Sequence, residues 1–355
     1  RLRLAKNLLA DEGAVFISID DHEQANLKKI CDEIFGEENF VACIVWQKRY
    51  STANDHKTIC PIHDFILSYR KTACWQRNLL QRSEVNDKQY KYVDEKGTFR
   101  PDNYKCNKTA DERPNLYYPI IHPLTKEEIW PSRDAVWRYS KERHEENVKN
   151  DMIFWGKDGN ARVPSFKRYK ELLRGGGGIV PGTWWTHDFA GHNDEAAKEA
   201  SDLIGSRVFS TPKPIRMISK ILQITTNTSS SDIILDFYSG SSTTAHSVIQ
   251  LNAEDGGNRQ FIMVQLPETC DEKSEAYKAG YKTIAEIGKE RIRRAGAKIK
   301  AELNAQQSPN SQGSLLDANA QRSSPLDIGF RVLKVDSSNM SDVYYTPDTL
   351  NQNML

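Results

Sequence analysis

Between Ser231 and Ala245 the chain reads Ser-Asp-Ile-Ile-Leu-Asp-Phe-Tyr-Ser-Gly-Ser-Ser-Thr-Thr-Ala, and here its residue types come closest to a chemical site. Ile233, Ile234 and Leu235 make a short apolar strand that ends in the carboxylate of Asp236. A turn of small residues passes through Ser239 and Gly240, and Ser241, Ser242, Thr243 and Thr244 then crowd hydroxyls at the start of a helix. Those are the parts of a nucleotide-type turn, because a tight turn lets the backbone approach a ligand and the helix start offers N–H groups with no intrahelical acceptor. Dinucleotide sites need glycine at three fixed places so that a pyrophosphate fits; here the later two hold Ser242 and Ala245, which disfavours a pyrophosphate. A ligand with an adenosine and no phosphate, S-adenosylmethionine for example, needs less clearance. Asp236 then holds its cationic amino group while the turn backbone contacts its amino-acid part. On these residues alone an ordinary strand-to-helix turn remains the alternative.

Other residue types offer less. His187 and His192 lie five apart, off one helical face, and His56 and His63 lack partners at ligand spacing, so no metal site is expected. Six cysteines, at 31, 43, 60, 74, 106 and 270, form no Cys-x-x-Cys pair and suit reduced, buried thiols rather than a disulfide framework. From 75 to 207 cations interleave with aromatics: Trp130, Arg133, Trp137, Arg138, Tyr139, Lys141, Arg143, then Trp155, Lys167, Arg168 and Tyr169. Such interleaving suits a groove that tracks phosphates and stacks bases, or equally an irregular domain with rings in a small core of its own. Lys48, Arg49 and Tyr50, directly after a strand, are candidates for DNA contact. So are Trp184 and Trp185, one of which is expected to be core.

The elements that must position these residues follow from periodicity. Leu2, Leu4, Leu8 and Leu9 make a helical stripe, Ala14 to Ile19 a buried strand, and Leu27, Ile30, Cys31 and Ile34 a second helix capped by Asp20-Asp21. Val41 to Trp46 and Phe65 to Tyr69 are two more strands, so the first 74 residues read as half of an α/β sheet. Regular signals return near 208: a helix through Ile215, Ile218, Ile221 and Leu222, the strand before Asp236, a helix over Thr243 to Leu251, and a strand over Phe261 to Val264. A long helix is expected over 275–303, with Lys289, Arg291, Arg293, Arg294, Lys298 and Lys300 on a solvated face. Gly175 to Gly178 and the Gln/Asn/Ser-rich 304–325 read as loops, and Gly329 to Asp336 as a last strand.

With 355 residues, 38% hydrophobic and 27% charged, the chain is a polar globular protein of more than one domain, neither a membrane spanner nor wholly disordered. A net charge of +1 gives no argument for nucleic acid, so any DNA-facing surface must come from uneven placement of charge. The N-terminus carries no signal-peptide pattern, and the absence of Met there implies a chain that begins within a longer protein.

Several segments, in order, carry a resemblance. Asp236 to His246 is similar to a cofactor motif that usually reads Asp-Phe-(Phe/Tyr)-(Ala/Ser)-Gly-Ser-(Gly/Ala)-Thr-Thr. Asn258 to Glu268 resembles the second strand of the same site, and Phe209 to Pro214 the segment that closes over the methionine end. Leu8 to Asp21 with Phe35 to Phe40 looks like the strand and helix beside a target pocket; Pro181 to Trp185 with Gly191 to Asn193 looks like the end of a recognition insertion, and Ile284 to Ile299 like a closing helix. Over nearly its whole length the chain resembles the β-class DNA amino-methyltransferases, most closely the adenine-N6 modification (Mod) subunits of type III restriction systems.

The resemblance implies a Rossmann-like S-adenosylmethionine-dependent methyltransferase sheet in permuted β-class order, interrupted by a target-recognition domain. The implied organisation is 1–74 first part of the core, 75–207 insertion, 208–303 second part with the cofactor motif, 304–325 loop, and 326–355 C-terminal strand and tail. Cofactor contacts are implied for Lys213, Pro214, Asp236, Phe237, Tyr238, Ser239, Gly240, Ser241, Thr243 and Thr244, with the ribose on Gln265 or Glu268. Ser242 departs from the usual glycine or alanine, a change the turn is expected to tolerate. The implied partners are double-stranded DNA, a second copy in a homodimer and a Res subunit with helicase and nuclease activity, in a bacterial cytoplasm.

A larger departure concerns catalysis. The family orients the target amino group with (Asp/Asn/Ser)-Pro-Pro-(Tyr/Phe/Trp), the polar side chain and a proline carbonyl accepting the amino hydrogens, and no Pro-Pro dipeptide occurs in this sequence. No catalytic residue is therefore assigned here. The motif and its strand are expected upstream of Arg1, which leaves an exposed seam beside the Asp236 strand and a chain inactive alone. A cytosine-N4 enzyme and a recognition module without catalysis are the alternatives. A dehydrogenase lacks its three-glycine turn, and a cytosine-C5 enzyme would need Pro-Cys where only the reverse, Cys60-Pro61, is present.

Overall fold

The structure, a computed structural model, describes residues 1–52, 56–173, 177–306 and 325–335; Gly175, Gly176, most of 304–325 and the tail from Asp336 lie outside them. The architecture is mixed α/β, in two compact units: 1–193 with 216–227, and 194–215 with the residues from 228 onward. The first unit opens with α1 (Leu2–Leu8), β1 (Ala14–Ile19), α2 (Gln24–Phe35), β2 (Phe40–Gln47) and β3 (His63–Arg70). The three strands pair antiparallel in the order β1-β3-β2, with Ile17 opposite Leu67 and Ile44 opposite Ile66. Alternation along these strands sends side chains to two faces. Ile44, Trp46 and Ile66 enter one core, while Leu67 and Tyr69 meet Cys31 and Phe35 of α2 in another. The expected Asp20-Asp21 cap is not used, since α2 starts after Glu23 without a side-chain cap.

Leu80 and Ile179 then exchange both backbone hydrogen bonds, at 2.9 Å each, and close off the chain between them. That excursion holds α3 (Glu84–Asp87), β4 (Tyr92–Asp94), β5 (Gly97–Asn103), β6 (Ile120–Ile121), β7 (Glu128–Ile129), α4 (Lys141–Lys149), β8 (Ile153–Phe154) and β9 (Ser165–Tyr169). Its strands form a sheet β4-β5-β9-β8 and a hairpin β6-β7. Many of the interleaved rings are its interior. Trp137 is fully buried with Tyr104, Tyr118, Ile120 and Ile153, and donates Nε1–H to the Tyr118 carbonyl (2.7 Å). Lys167 is nearly buried and donates to Asp94 (3.0 Å) and Asp151 (2.7 Å), so it presents no cation to a ligand.

The chain returns as β10 (Trp184–Trp185), parallel to β2 with Trp185 opposite Trp46, followed by α5 (His187–Ala190). Within the span 75–207 read as an insertion, β10 hydrogen-bonds the edge of the first sheet. α6 (Asn193–Ile204) opens the second unit, and α7 (Ile215–Thr225) returns to the first, where Met217 and Ile224 cover Trp46 and Trp185.

The second unit continues with β11 (Ile233–Asp236), α8 (Thr243–Asp255), β12 (Gln260–Met263), α9 (Glu275–Lys278) and α10 (Ile284–Gln306). β11 and β12 pair parallel in a two-stranded sheet of their own, so the two regions read as halves of one sheet form separate sheets among the described residues. Ala245 and Ile249 of α8 pack on Ile292, Ala295 and Ile299 of α10, with Phe261 and Met263 beneath. Two expectations fail here. The single helix over 275–303 is broken after Lys278, where Gly280 interrupts it. The strand expected from Gly329 is absent over 329–335, because Leu326, Ile328 and Phe330 pack onto α10 instead of pairing with an edge.

Candidate functional site

The turn between β11 and α8 is built from its own polar groups. Val264 N–H donates to the Asp236 carbonyl (2.8 Å), which fixes the strand end. The Asp236 carboxylate then accepts Tyr238 N–H (3.1 Å) and the Thr244 hydroxyl (2.7 Å), binding strand to helix across the turn. Gly240 has φ +50° and donates N–H to Gln265 Oε1 (2.8 Å); a Cβ there would stand 3.2 Å from the Phe209 ring. Ser242 takes φ +58°, ψ +39° at the head of α8. A side chain in that left-handed region costs about 1 kcal/mol, so serine is accommodated there with strain.

Beneath the turn lies α10. Arg291 is fully buried and donates Nη1–H to Ser241 Oγ (2.9 Å) and Thr243 Oγ1 (2.8 Å), while Nε points at His246 Nδ1 (3.5 Å). Burial pulls the guanidinium down to about 10, opposed by the charge of Glu199. Burial, then the charges of Arg291 and Lys298, pull His246 down to about 3, so its ring is neutral and accepts at Nδ1. The residues Ser239 and Ser241 to Thr244 are packed on this side, whereas Tyr238 is exposed and Asp236, Phe237 and Gly240 reach the surface in part. The open side of the turn is therefore the Asp236–Gly240 side.

Nine of the implied cofactor residues, Asp236 to Ser241, Thr243, Thr244 and Gln265, gather at this one turn. The segment ahead of α7 is tied to it at both ends, by the Phe209 ring against Gly240 and by Ser247 Oγ–H donating to the Ile215 carbonyl (3.3 Å). Within it Pro214 is buried and Lys213 half-buried. Gln265 spends its side-chain oxygen on the turn, and Glu268 is exposed, its carbonyl accepting Ile284 N–H (3.0 Å). Sequence reasoning missed Arg291 by placing it on a solvated face. The signal was present, since Arg291 follows Ile284 by seven, Ile287 by four and Gly288 by three, on the stripe that faces the core.

The DNA candidates lie in the first unit and divide. Lys48 is tied to Asp64 (2.6 Å) and largely buried, and Trp185 is 1% exposed with Nε1–H on the Gly182 carbonyl (2.9 Å). Neither presents itself to a ligand, because the first is neutralised and the second is core. Arg49 is exposed, Trp184 is 67% exposed, and Tyr50 stands edge-on to His187 at 4.9 Å between centroids. No group of three or more metal-ligating side chains occurs among the described residues, and none of their helices is long and apolar enough to cross a membrane.

A family model described as DNA methylase, of the N6/N4 methyltransferase type, matches residues 1–295. The StyLTI type III restriction-modification Mod subunit of Salmonella typhimurium is 37% identical over 306 residues, covering 85% of this chain and 45% of that protein. The EcoPI Mod subunit of Escherichia phage P1 is 30% identical over 323 residues, covering 82% and 48%. The chain thus spans about half the length of these curated relatives. Among solved structures, the cytosine-N4-specific PvuII DNA methyltransferase aligns over 82% of this chain and 73% of its own, at 10% identity and TM-score 0.37, a likeness too distant to support an inference.

Proposed function

The chain belongs to the DNA methylase family of N6 and N4 methyltransferases, and from that premise we propose that it holds the S-adenosylmethionine site of a type III-like enzyme that methylates adenine N6 in duplex DNA. The observation that carries the reading is the turn at Asp236. Its carboxylate is held at a strand end by Tyr238 N–H and Thr244, and it keeps acceptor capacity for an ammonium group. Gly240, braced by Gln265 and lacking a side chain, lets a ligand approach the backbone. When bound, S-adenosylmethionine supplies an electrophilic methyl group on a sulfonium. This chain's residues bind and orient that donor.

Acceptor chemistry is a separate matter. The sequence holds no Pro-Pro motif to receive the target amino hydrogens, so the chain is proposed to bind donor but not to transfer its methyl group alone. The adenine preference, the homodimer, the Res partner and the bacterial cytoplasm rest on resemblance to Mod subunits. The excursion between Leu80 and Ile179 is proposed as the DNA-recognition part, with Arg49, Tyr50 and Trp184 as further contacts. Calorimetry with S-adenosylmethionine and with NAD tests the core of the reading: binding of the first and not the second is expected, and the reverse overturns it. Labelled methyl transfer to duplex DNA by this chain alone would overturn the inactivity. With a complete enzyme, label on cytosine rather than adenine would move the assignment to N4.

A further inference from the structure

Arg291 is the most unusual charge in the second unit. It is fully buried, its hydrogen bonds go only to neutral groups, two hydroxyls and the His246 ring, and its Nη2 has no hydrogen-bond partner among the described residues. It also sits at the N-terminus of α8, where the helix dipole is already positive and a second positive charge is unfavourable. The charge that offsets it comes from Glu199, whose Oε2 accepts Ile215 N–H (3.0 Å) and makes no ion pair with the guanidinium among the described residues. A buried cation in such a place costs stability, and replacement by an apolar side chain is often neutral or favourable. The fold nevertheless makes room for it. Gly288, one turn earlier on the same face of α10, has no side chain, and a Cβ there would meet Ser242 Oγ at 2.5 Å and the Gly240 carbonyl at 3.3 Å. Helix α10 therefore lies tight under the turn, with the guanidinium fixed against Ser241 and Thr243.

We propose that Arg291 is a positioning residue that makes this turn an anion seat, setting a positive field for the carboxylate of the donor's amino-acid end while Asp236 takes the ammonium. The inference rests on the S-adenosylmethionine reading and deepens it: a cation under the turn and an anion at its strand end together read a zwitterion. Because the guanidinium is buried, its field is weakly screened, and the preference persists at high salt.

The test is binding calorimetry on the full chain with three probes: S-adenosylhomocysteine, its carboxylate methyl ester, and methylthioadenosine, which lacks the amino-acid part. The unaltered protein is expected to prefer the acid over the ester by about tenfold or more, at low and at high salt. In Arg291→Met that ratio falls to about threefold or less, with methylthioadenosine affinity unchanged and the melting temperature not lowered. Equal binding of acid and ester by the unaltered protein overturns the proposal, a result that needs no variant. So does an Arg291→Met that weakens all three probes by one common factor, the mark of a structural role. If the unaltered protein binds none of the three, the donor reading itself has failed and the inference falls with it.

Discussion

Gly288 and Ser242 are in direct apposition: a methyl group placed on Gly288 would stand 2.5 Å from the Ser242 hydroxyl oxygen. Ser242 is itself strained, at φ +58°. Gly288→Ala gains helix propensity of about 1 kcal/mol but forces a clash that typically costs 1–3, so a net loss of roughly 1 kcal/mol is expected. Ser242→Gly removes both the left-handed penalty and the hydroxyl, and is expected to raise stability by about 1 kcal/mol. Urea unfolding of the two variants and their combination checks the pair. In the double variant the Gly288→Ala cost should largely vanish, and simple addition of the two effects would show that the residues do not press on each other.

His246 makes the second unit acid-sensitive. Its folded value is drawn down to about 3, chiefly by burial, whereas the unfolded chain titrates near the ordinary 6.5. Between those values the unfolded state binds the proton and the folded state does not, so stability is full above about pH 6.5 and is lost as pH falls. The slope is about 1.4 kcal/mol per pH unit from this residue alone. His246→Asn should flatten the difference between unfolding at pH 7.5 and at pH 5. An unchanged slope in that variant would assign the acid sensitivity to other groups.

The strands and the site turn were legible for one reason, and the failures share another. Ala14–Ile19, Ile233–Asp236 and the hydroxyl-rich entry into α8 are local patterns whose periodicity and turn chemistry suffice. The surroundings of Arg291, Lys48 and Trp185 were not legible because they are set by tertiary partners: two hydroxyls beneath a turn, a carboxylate on the neighbouring strand, and a core reached by parallel pairing with β2, which also decides which of the two adjacent tryptophans is core. The strand expected at Gly329 failed likewise, since alternation fits an apolar segment lying on a helix as well as it fits a sheet edge.

Trp184 and Trp185 are neighbours with opposite environments, 67% and 1% exposed. Trp185→Ala empties a core site beside Trp46 and Met217 and should cost about 3–5 kcal/mol, visible in thermal unfolding. Trp184→Ala should stay within about 0.5 kcal/mol of the parent. If Trp184 stacks on a base as proposed, its removal weakens DNA binding by about 1–3 kcal/mol in a titration with labelled duplex. Unchanged affinity would remove it from the interface.

Lys48 and Arg49 give the sharpest division between two adjacent cations. Both follow β2, but Lys48 Nζ is 2.6 Å from Asp64 and mostly buried, whereas Arg49 is exposed and its side chain makes only a long contact among the described residues, from Nη1 to Cys60 Sγ (3.9 Å). A cation already neutralised by a carboxylate releases no counterion when DNA binds, and one that neutralises a phosphate does. The dependence of log affinity on log salt should therefore lose about one unit of slope in Arg49→Ala and almost none in Lys48→Met. Stability should respond in the reverse order, because Lys48→Met strands a half-enclosed carboxylate while Arg49→Ala touches nothing packed. Measuring both properties in both variants separates contact from scaffold: a slope change confined to Lys48→Met would mean that the Lys48–Asp64 pair opens on DNA, and that Lys48 after all belongs to the binding surface.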